Sequence, residues 1–208
     1  MSVMLTNILH IFPPMESPLP FLPDPDLAAD PALAATFSRV EQSRGWVSNA
    51  MRAFAHAPEG LSAFSAVGHY GRYGTALTEV QRELTILIVG RSVPYAWTHH
   101  VPLGLQAGIS QQQIDTIARG EVPSDLPKAD RTLCAYVFAF LAGKGTSPAM
   151  ADALGASFTP RQVTDITLLA GYYLALGMSI LSLGVEVEPP EILAIELEWQ
   201  RKQASRRD

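Results

Sequence analysis

The sequence predicts an all-α fold, and three observations carry that reading. Helix-start signals recur along the chain: Asp30-Pro31, Ser147-Pro148 and Thr159-Pro160 each set a capping side chain before a proline. Thr78-Glu79-Val80-Gln81 and Ser110-Gln111-Gln112-Gln113 each place a hydroxyl three residues ahead of a glutamine. A cap oxygen accepts an otherwise unpaired backbone N–H of the first turn, the returning glutamine satisfies another, and proline at the first helical position forfeits no bond. Second, no stretch keeps the apolar–polar alternation of a half-buried strand. Third, Ile166 to Val185 runs without a formal charge, at a length natural for one long helix.

In chain order, residues 1–30 hold six prolines between Pro13 and Pro25 and no sustained period, so they read as an arm preceding a single helical domain over 31–208. Helices are expected from Pro31 to about Ser43, from Ser48 to His56 and from Pro58 to about Arg72. The Thr78 capping box opens a helix to about Val93, where Pro94 stops it. The next runs from Tyr95 to Ala107 and ends at Gly108. A short helix follows Ser110 and ends at Gly120, and another spans Pro127 to Gly143. Helices then start at Pro148 and Pro160, and a last one, about Pro190 to Gln203, carries charge on its exposed side. Thr78, Gln81, Leu87 and Gly90 are echoed at the same spacing by Thr159, Gln162, Leu168 and Gly171.

Composition narrows the function classes. At 208 residues, 48% hydrophobic and 17% charged, the chain is too apolar for disorder, and its surplus must enter a membrane, a large core or a subunit interface. A net charge of −5 argues against nonspecific nucleic-acid binding, which rests on Lys and Arg neutralising phosphates. The uncharged run could span a bilayer by length, yet it holds three glycines and two tyrosines and has acidic neighbours, Asp165 and Glu186, without basic anchors; it reads as a buried helix. The N-terminus has no basic residue before its apolar stretch and reads poorly as a signal peptide. The single cysteine, Cys134, makes no intrachain disulfide, no CxxC pair and no cysteine-rich zinc site, so a cytoplasmic location is expected.

Chemistry concentrates between Arg82 and His100. On the helix after Thr78, Glu83 falls at the centre of the apolar stripe formed by Val80, Ile86, Leu87 and Gly90. A carboxylate there is costly unless paired, and it is either a structural acid pairing with Arg91 or a general acid–base. On the following helix His100 shares its face with Ala96, Trp97, Leu103 and Gly104, while His99 points toward the side of Tyr95. The tight Pro94 turn makes the two helices antiparallel neighbours and brings Glu83 toward His100, an arrangement in which a carboxylate sets the tautomer of an imidazole.

The stretch Arg82-Glu83-Leu84, Ile86-Leu87, then Tyr95-x-Trp97-x-His99-His100 and Gly108-Ile109-Ser110, resembles the carboxymuconolactone decarboxylase and alkylhydroperoxidase D-like family. The resemblance extends from Asn49-Ala50-Met51-Arg52 to Gly184-Val185-Glu186-Val187-Glu188. It implies an all-α homo-oligomer, a dimer, trimer or hexamer, with its site near a subunit interface and Glu83 and His100 as acid–base residues. The peroxidase branch uses a Cys-x-x-Cys-x-x-x-His motif, whose cysteine positions hold Val93 and Ala96 here. The family's Tyr-Glu-Trp is Tyr95-Ala96-Trp97, the glutamate-to-histidine spacing is a couple of residues shorter, and Pro102 sits where the helix normally continues.

The decarboxylase branch needs no metal or organic cofactor, and the resemblance implies none here. That branch releases carboxylate from a lactone and delivers a proton to carbon, which requires a group orienting the carboxylate and a positioned acid–base. Candidate orienting residues are Arg82, Arg91 and the run His69-Tyr70-Gly71-Arg72-Tyr73, which is otherwise a solvated helix end. Tyr95 and Trp97 either line an aromatic substrate wall or belong to the core. The leading expectation is a lyase, or a derived isomerase or cyclase, acting on a small unsaturated carboxylate, lactone or polyketide-like ring. The alternatives are a peroxide-handling oxidoreductase and a non-enzymatic ligand-binding oligomer. A metal site drawn from Glu83, His69, His99 and His100 has no HExxH-like spacing behind it.

Overall fold

The helix-start signals act where the sequence places them. In the computed structural model, which describes residues 29–204, Asp30 caps the backbone N–H of Leu33 at 2.9 Å and opens α1 (Pro31–Arg44). Ser48 caps α2 (Asn49–Ala53), which tightens into a 3₁₀ turn over Phe54–His56 before α3 (Pro58–Tyr73). Reciprocal capping boxes at Thr78 and Ser110 open α4 (Glu79–Gly90) and α6 (Gln111–Ala118). Between them Pro94 starts α5 (Pro94–Ala107) at its first position rather than only ending the helix before it. Then come α7 (Lys128–Leu141), α8 (Pro148–Gly155), α9 (Pro160–Leu183) and α10 (Pro190–Ala204). No strand occurs among the described residues. The sequence-assigned arm lies, but for its last two residues, outside the described residues.

Helix α4 is the axis of the fold, packing against α5, α9, α7 and α6. Every residue from Glu83 to Gly90 is buried, which a helix apolar on all sides requires. Leu84, Ile86, Leu87 and Ile88 are at most 1% exposed, and burying each such side chain is worth roughly 1.5–3 kcal/mol. A second, smaller cluster joins α1, α2, the start of α5 and the end of α9. Helix α9 lays Ile166, Leu169, Ala170 and Ile180 against the interior, while Leu168, Leu174 and Met178 on its far side stay exposed. It is the one described helix long and apolar enough to cross a membrane, and its polar Asp165 is buried, holding the Ala76 N–H at 2.8 Å.

Candidate functional site

The α4–α5 hairpin sets the centre of the site. The turn closes with the Val93 N–H on the Gly90 carbonyl at 2.9 Å, and α5 begins at once with Pro94. The helices cross so closely that a Cβ on Gly90 would lie 2.9 Å from that of Ala96, so both residues must be small. This approach brings Glu83 Oε2 within 2.8 Å of His100 Nδ1, with the two residues 8% and 3% exposed. Helix α5 runs on through Pro102, and neither that proline nor the shortened spacing separates the pair. Nδ1 faces the carboxylate, Nε2 makes no hydrogen bond among the described residues, and His100 lines a cavity.

His99 takes a different set of partners. Its Nε2 meets Glu188 Oε2 at 2.7 Å and its Nδ1 meets Glu196 Oε2 at 2.6 Å, so both nitrogens donate and the ring is an imidazolium. Burial works against that charge, but the hydrogen bonds and field of the two carboxylates outweigh it and raise the His99 pKa to about 9. Burial likewise opposes the charge of Glu196, and the bond from His99, with the fields of His99, Arg72 and His100, prevails and lowers its pKa to about 2. Glu188 also accepts the Tyr95 hydroxyl and the Asn49 N–H, each at 2.6 Å. The His99 ring stacks on Tyr95, with centroids 4.5 Å apart, and lies parallel to Trp46.

The run at the end of α3 divides. Arg72 turns inward, its two terminal nitrogens each 3.4 Å from Glu196 Oε1. Burial disfavours its charge, and Tyr173, Glu196, Tyr73 and Glu83 more than offset that, holding the guanidinium well above its usual pKa. His69 is exposed and packs on the Tyr73 ring, whereas the Tyr70 hydroxyl donates to Asp165. The structure does not pair Glu83 with Arg91, which instead donates to the Ile88 carbonyl and lies over Phe138. Arg82 pairs with Glu79 at 3.3 Å. Trp97 is 2% exposed in the main core, away from the cavity wall, while Tyr95 does line it.

The cavity has about 40 Å³ of room, enough for roughly three waters, since a water needs roughly 10–15 Å³ on the same measure. Arg72, Tyr95, His99, His100, Tyr172 and Tyr173 supply its polar and aromatic wall. The Tyr173 ring stands edge-on to His100, with centroids 5.2 Å apart. Tyr172 is 6% exposed, and its hydroxyl is the one buried side-chain polar atom without a partner among the described residues. Such an orphan costs about 1–3 kcal/mol. A wider groove of about 410 Å³ near Phe54 and Leu183 holds a single ionisable group, His56, and no acid–base pair. The buried acid–base pair therefore borders the smaller cavity.

Sequence reasoning missed Glu196, Trp46 and Tyr172. The last helix does not keep all its charge on its exposed side, because Leu193 and Glu196, one turn apart, both face inward. That spacing was the available signal. Glu188 was legible only as part of the Gly184–Glu188 ending. Gly184, in the left-handed region at φ 63°, turns the chain out of α9 and toward the site. Cys134 is fully buried in the core and its thiol is pushed up to about 12, by burial first and by Asp130 second. Among the described residues no three His, Cys, Asp or Glu side chains are placed to hold a metal ion.

No family model matches the chain, and no curated protein sequence matches it. Solved structures do. An uncharacterized peroxidase-related protein from Ralstonia eutropha JMP134, with an alkylhydroperoxidase AhpD core, superposes with a TM-score of 0.71 at 20% identity, covering 86% of this chain and 97% of that one. A peroxidase-related protein from Silicibacter sp. TM1040 gives 0.66 at 20% identity, over 85% and 95%. The debrominase Bmp8 in complex with 2,3,4-tribromopyrrole gives 0.65 at 15% identity, over 88% and 100%. The all-α fold of the chain is that of the alkylhydroperoxidase D-like proteins, as the motif around Glu83 and His100 implied.

Proposed function

We propose that this chain, on an alkylhydroperoxidase D-like scaffold, is a cofactor-independent acid–base enzyme, a lyase of the carboxymuconolactone decarboxylase type or an isomerase or cyclase related to it. The observation that supports this most is the 2.8 Å bond between Glu83 and His100 Nδ1, which leaves Nε2 unbonded on a residue of the cavity wall. In this reading Nε2 takes a proton from an activated carbon of a small unsaturated ring and returns it. Glu83 holds the tautomer and stabilises the imidazolium that forms. The aromatic wall suits a flat substrate. The tribromopyrrole bound by the debrominase is likewise a small flat ring.

Thiol-based peroxide chemistry has less support. Val93 and Ala96, at the cysteine positions of the motif, are buried apolar residues, and Cys134 lies in the core. The test is proton exchange in D₂O on a panel of small unsaturated lactones and enones, followed by NMR. Positioned proton transfer contributes about 10²–10⁴-fold, so His100→Ala should lose that much. Glu83→Gln should lose roughly tenfold or more, equivalent to 1.4 kcal/mol. Full exchange by either variant on a compound the wild type exchanges would overturn the reading.

A further inference from the structure

The cavity beside the acid–base pair has room for only about three waters, so a substrate reaches His100 only if part of the wall moves. Helices α2, α3, α5 and α9, which supply most of that wall, each bury side chains in one of the two apolar clusters. Among the described residues α10 contributes to neither cluster, although Glu196 on its inner face forms part of the wall. Three side chains hold α10 against the body. Leu193 is buried, and Trp199 lies against Gly45, where a Cβ would come within 2.5 Å of the indole ring. Glu196 meets His99 Nδ1 at 2.6 Å and the Arg72 guanidinium at 3.4 Å. Glu188, just before α10, is fixed separately by the Tyr95 hydroxyl, the Asn49 N–H and His99 Nε2, and only Pro189 stands between it and Pro190, the first residue of α10. One imidazole thus grips the chain before α10 through one nitrogen and α10 itself through the other.

We propose that α10 is a lid on the acid–base cavity, hinged at Glu188 and Pro189 and latched by Glu196. Opening breaks the bonds from His99 Nδ1 and Arg72, lifts Trp199 from Gly45 and uncovers the wall next to His100, while the bond between Glu188 and His99 Nε2 keeps the hinge in place. Proline rings fix φ near about −65°, so the rotation falls on the ψ angles of Glu188 and Pro189. A polar latch suits such a movement. Water solvates Glu196, Arg72 and His99 as they part, whereas a helix seated in an apolar cluster would expose that surface on opening. Only the purpose of the opening, admission of a substrate to His100, rests on the acid–base reading.

Hydrogen exchange read by mass spectrometry on the full chain, without substrate, tests the lid, together with modification of His100 by diethyl pyrocarbonate, which requires access to an unbonded ring nitrogen. In the wild type the amides of α10 should exchange at least about tenfold faster than those of α4. Trp199→Ala loosens α10 without altering a charge at the cavity; it should speed α10 exchange and His100 modification together, each about tenfold, and leave α4 exchange unchanged. Glu196→Gln should speed α10 exchange to a similar extent. Ile117→Val, which weakens the main cluster, should speed exchange in α4 and change neither α10 exchange nor His100 modification. Equal protection of α10 and α4 in the wild type, or equal acceleration of both in Trp199→Ala, would mean that α10 opens only with the whole molecule and overturns the lid. Faster α10 exchange in Trp199→Ala with unchanged His100 modification overturns it too. An α10 that opens in this way, in a protein that exchanges no substrate proton, leaves the lid standing and removes the acid–base reading.

Discussion

Cys134 shows at the scale of one residue how burial decides chemistry. A thiol raised to about 12 is protonated at neutral pH, and a fully buried one meets no solute. The native protein should therefore resist thiol-specific labelling until it unfolds. Cys134→Ser should leave proton exchange intact while lowering stability by about 1–3 kcal/mol, because it buries a hydroxyl among Leu133, Val137 and their neighbours. Loss of activity with retained stability in Cys134→Ser would revive a thiol mechanism. Glu83 and His100 could be placed from sequence for a related reason. Each is a polar side chain in the middle of an apolar helical face, on helices joined by a turn too short for any arrangement but antiparallel contact. Glu188 and Glu196 could not, since they meet His99 from 89 and 97 residues away and no local pattern encodes that distance.

Between elements, His99 ties α5 to the chain after Gly184 and to α10, and the arrangement gives a signed pH dependence. Its pKa is raised from 6.5 to about 9 in the folded state, so the stabilisation is complete below about pH 6.5 and is lost as pH rises through 9. The shift corresponds to stabilisation on the order of 3 kcal/mol. Glu196, lowered from 4.5 to about 2, contributes above about pH 4.5 and loses its share as pH falls through 2. Melting temperature should thus peak between about pH 4.5 and 6.5 and fall across pH 7–9. His99→Gln should melt lower at pH 6, by the 3–5 kcal/mol typical of a broken buried pair, and lose most of the alkaline slope. An unchanged slope in that variant would assign it to other groups. The helices themselves were legible because caps and prolines are local signals. Their ends shifted by a few residues where the next element intervened, as at Val93, which serves as the cap of α5.

For the whole molecule, the apolar surplus visible in the composition is only partly absorbed among the described residues. The core accounts for α4 and for the inner face of α9, yet Leu168, Leu174 and Met178 remain 51%, 38% and 55% exposed on the opposite face of α9. At about 100° per residue the three fall within about a third of the helix circumference, a one-sided stripe rather than contacts scattered around it. Insertion into a bilayer is a poor use of that stripe, because α9 also carries Asp165 on its inner face, bonded to Tyr70 and Ala76, and a spanning helix would strip the carboxylate of both. We propose that a second copy of the chain covers it. Fully burying such side chains is worth roughly 1.5–3 kcal/mol each, of which about half remains to be gained here. Light scattering should therefore give a mass at least twice the 22.5 kDa of one chain. Leu168→Asp combined with Met178→Asp should reduce that mass toward the monomer while circular dichroism keeps its helical signature. A wild-type protein that stays monomeric at high micromolar concentration would show that the stripe is not a subunit interface.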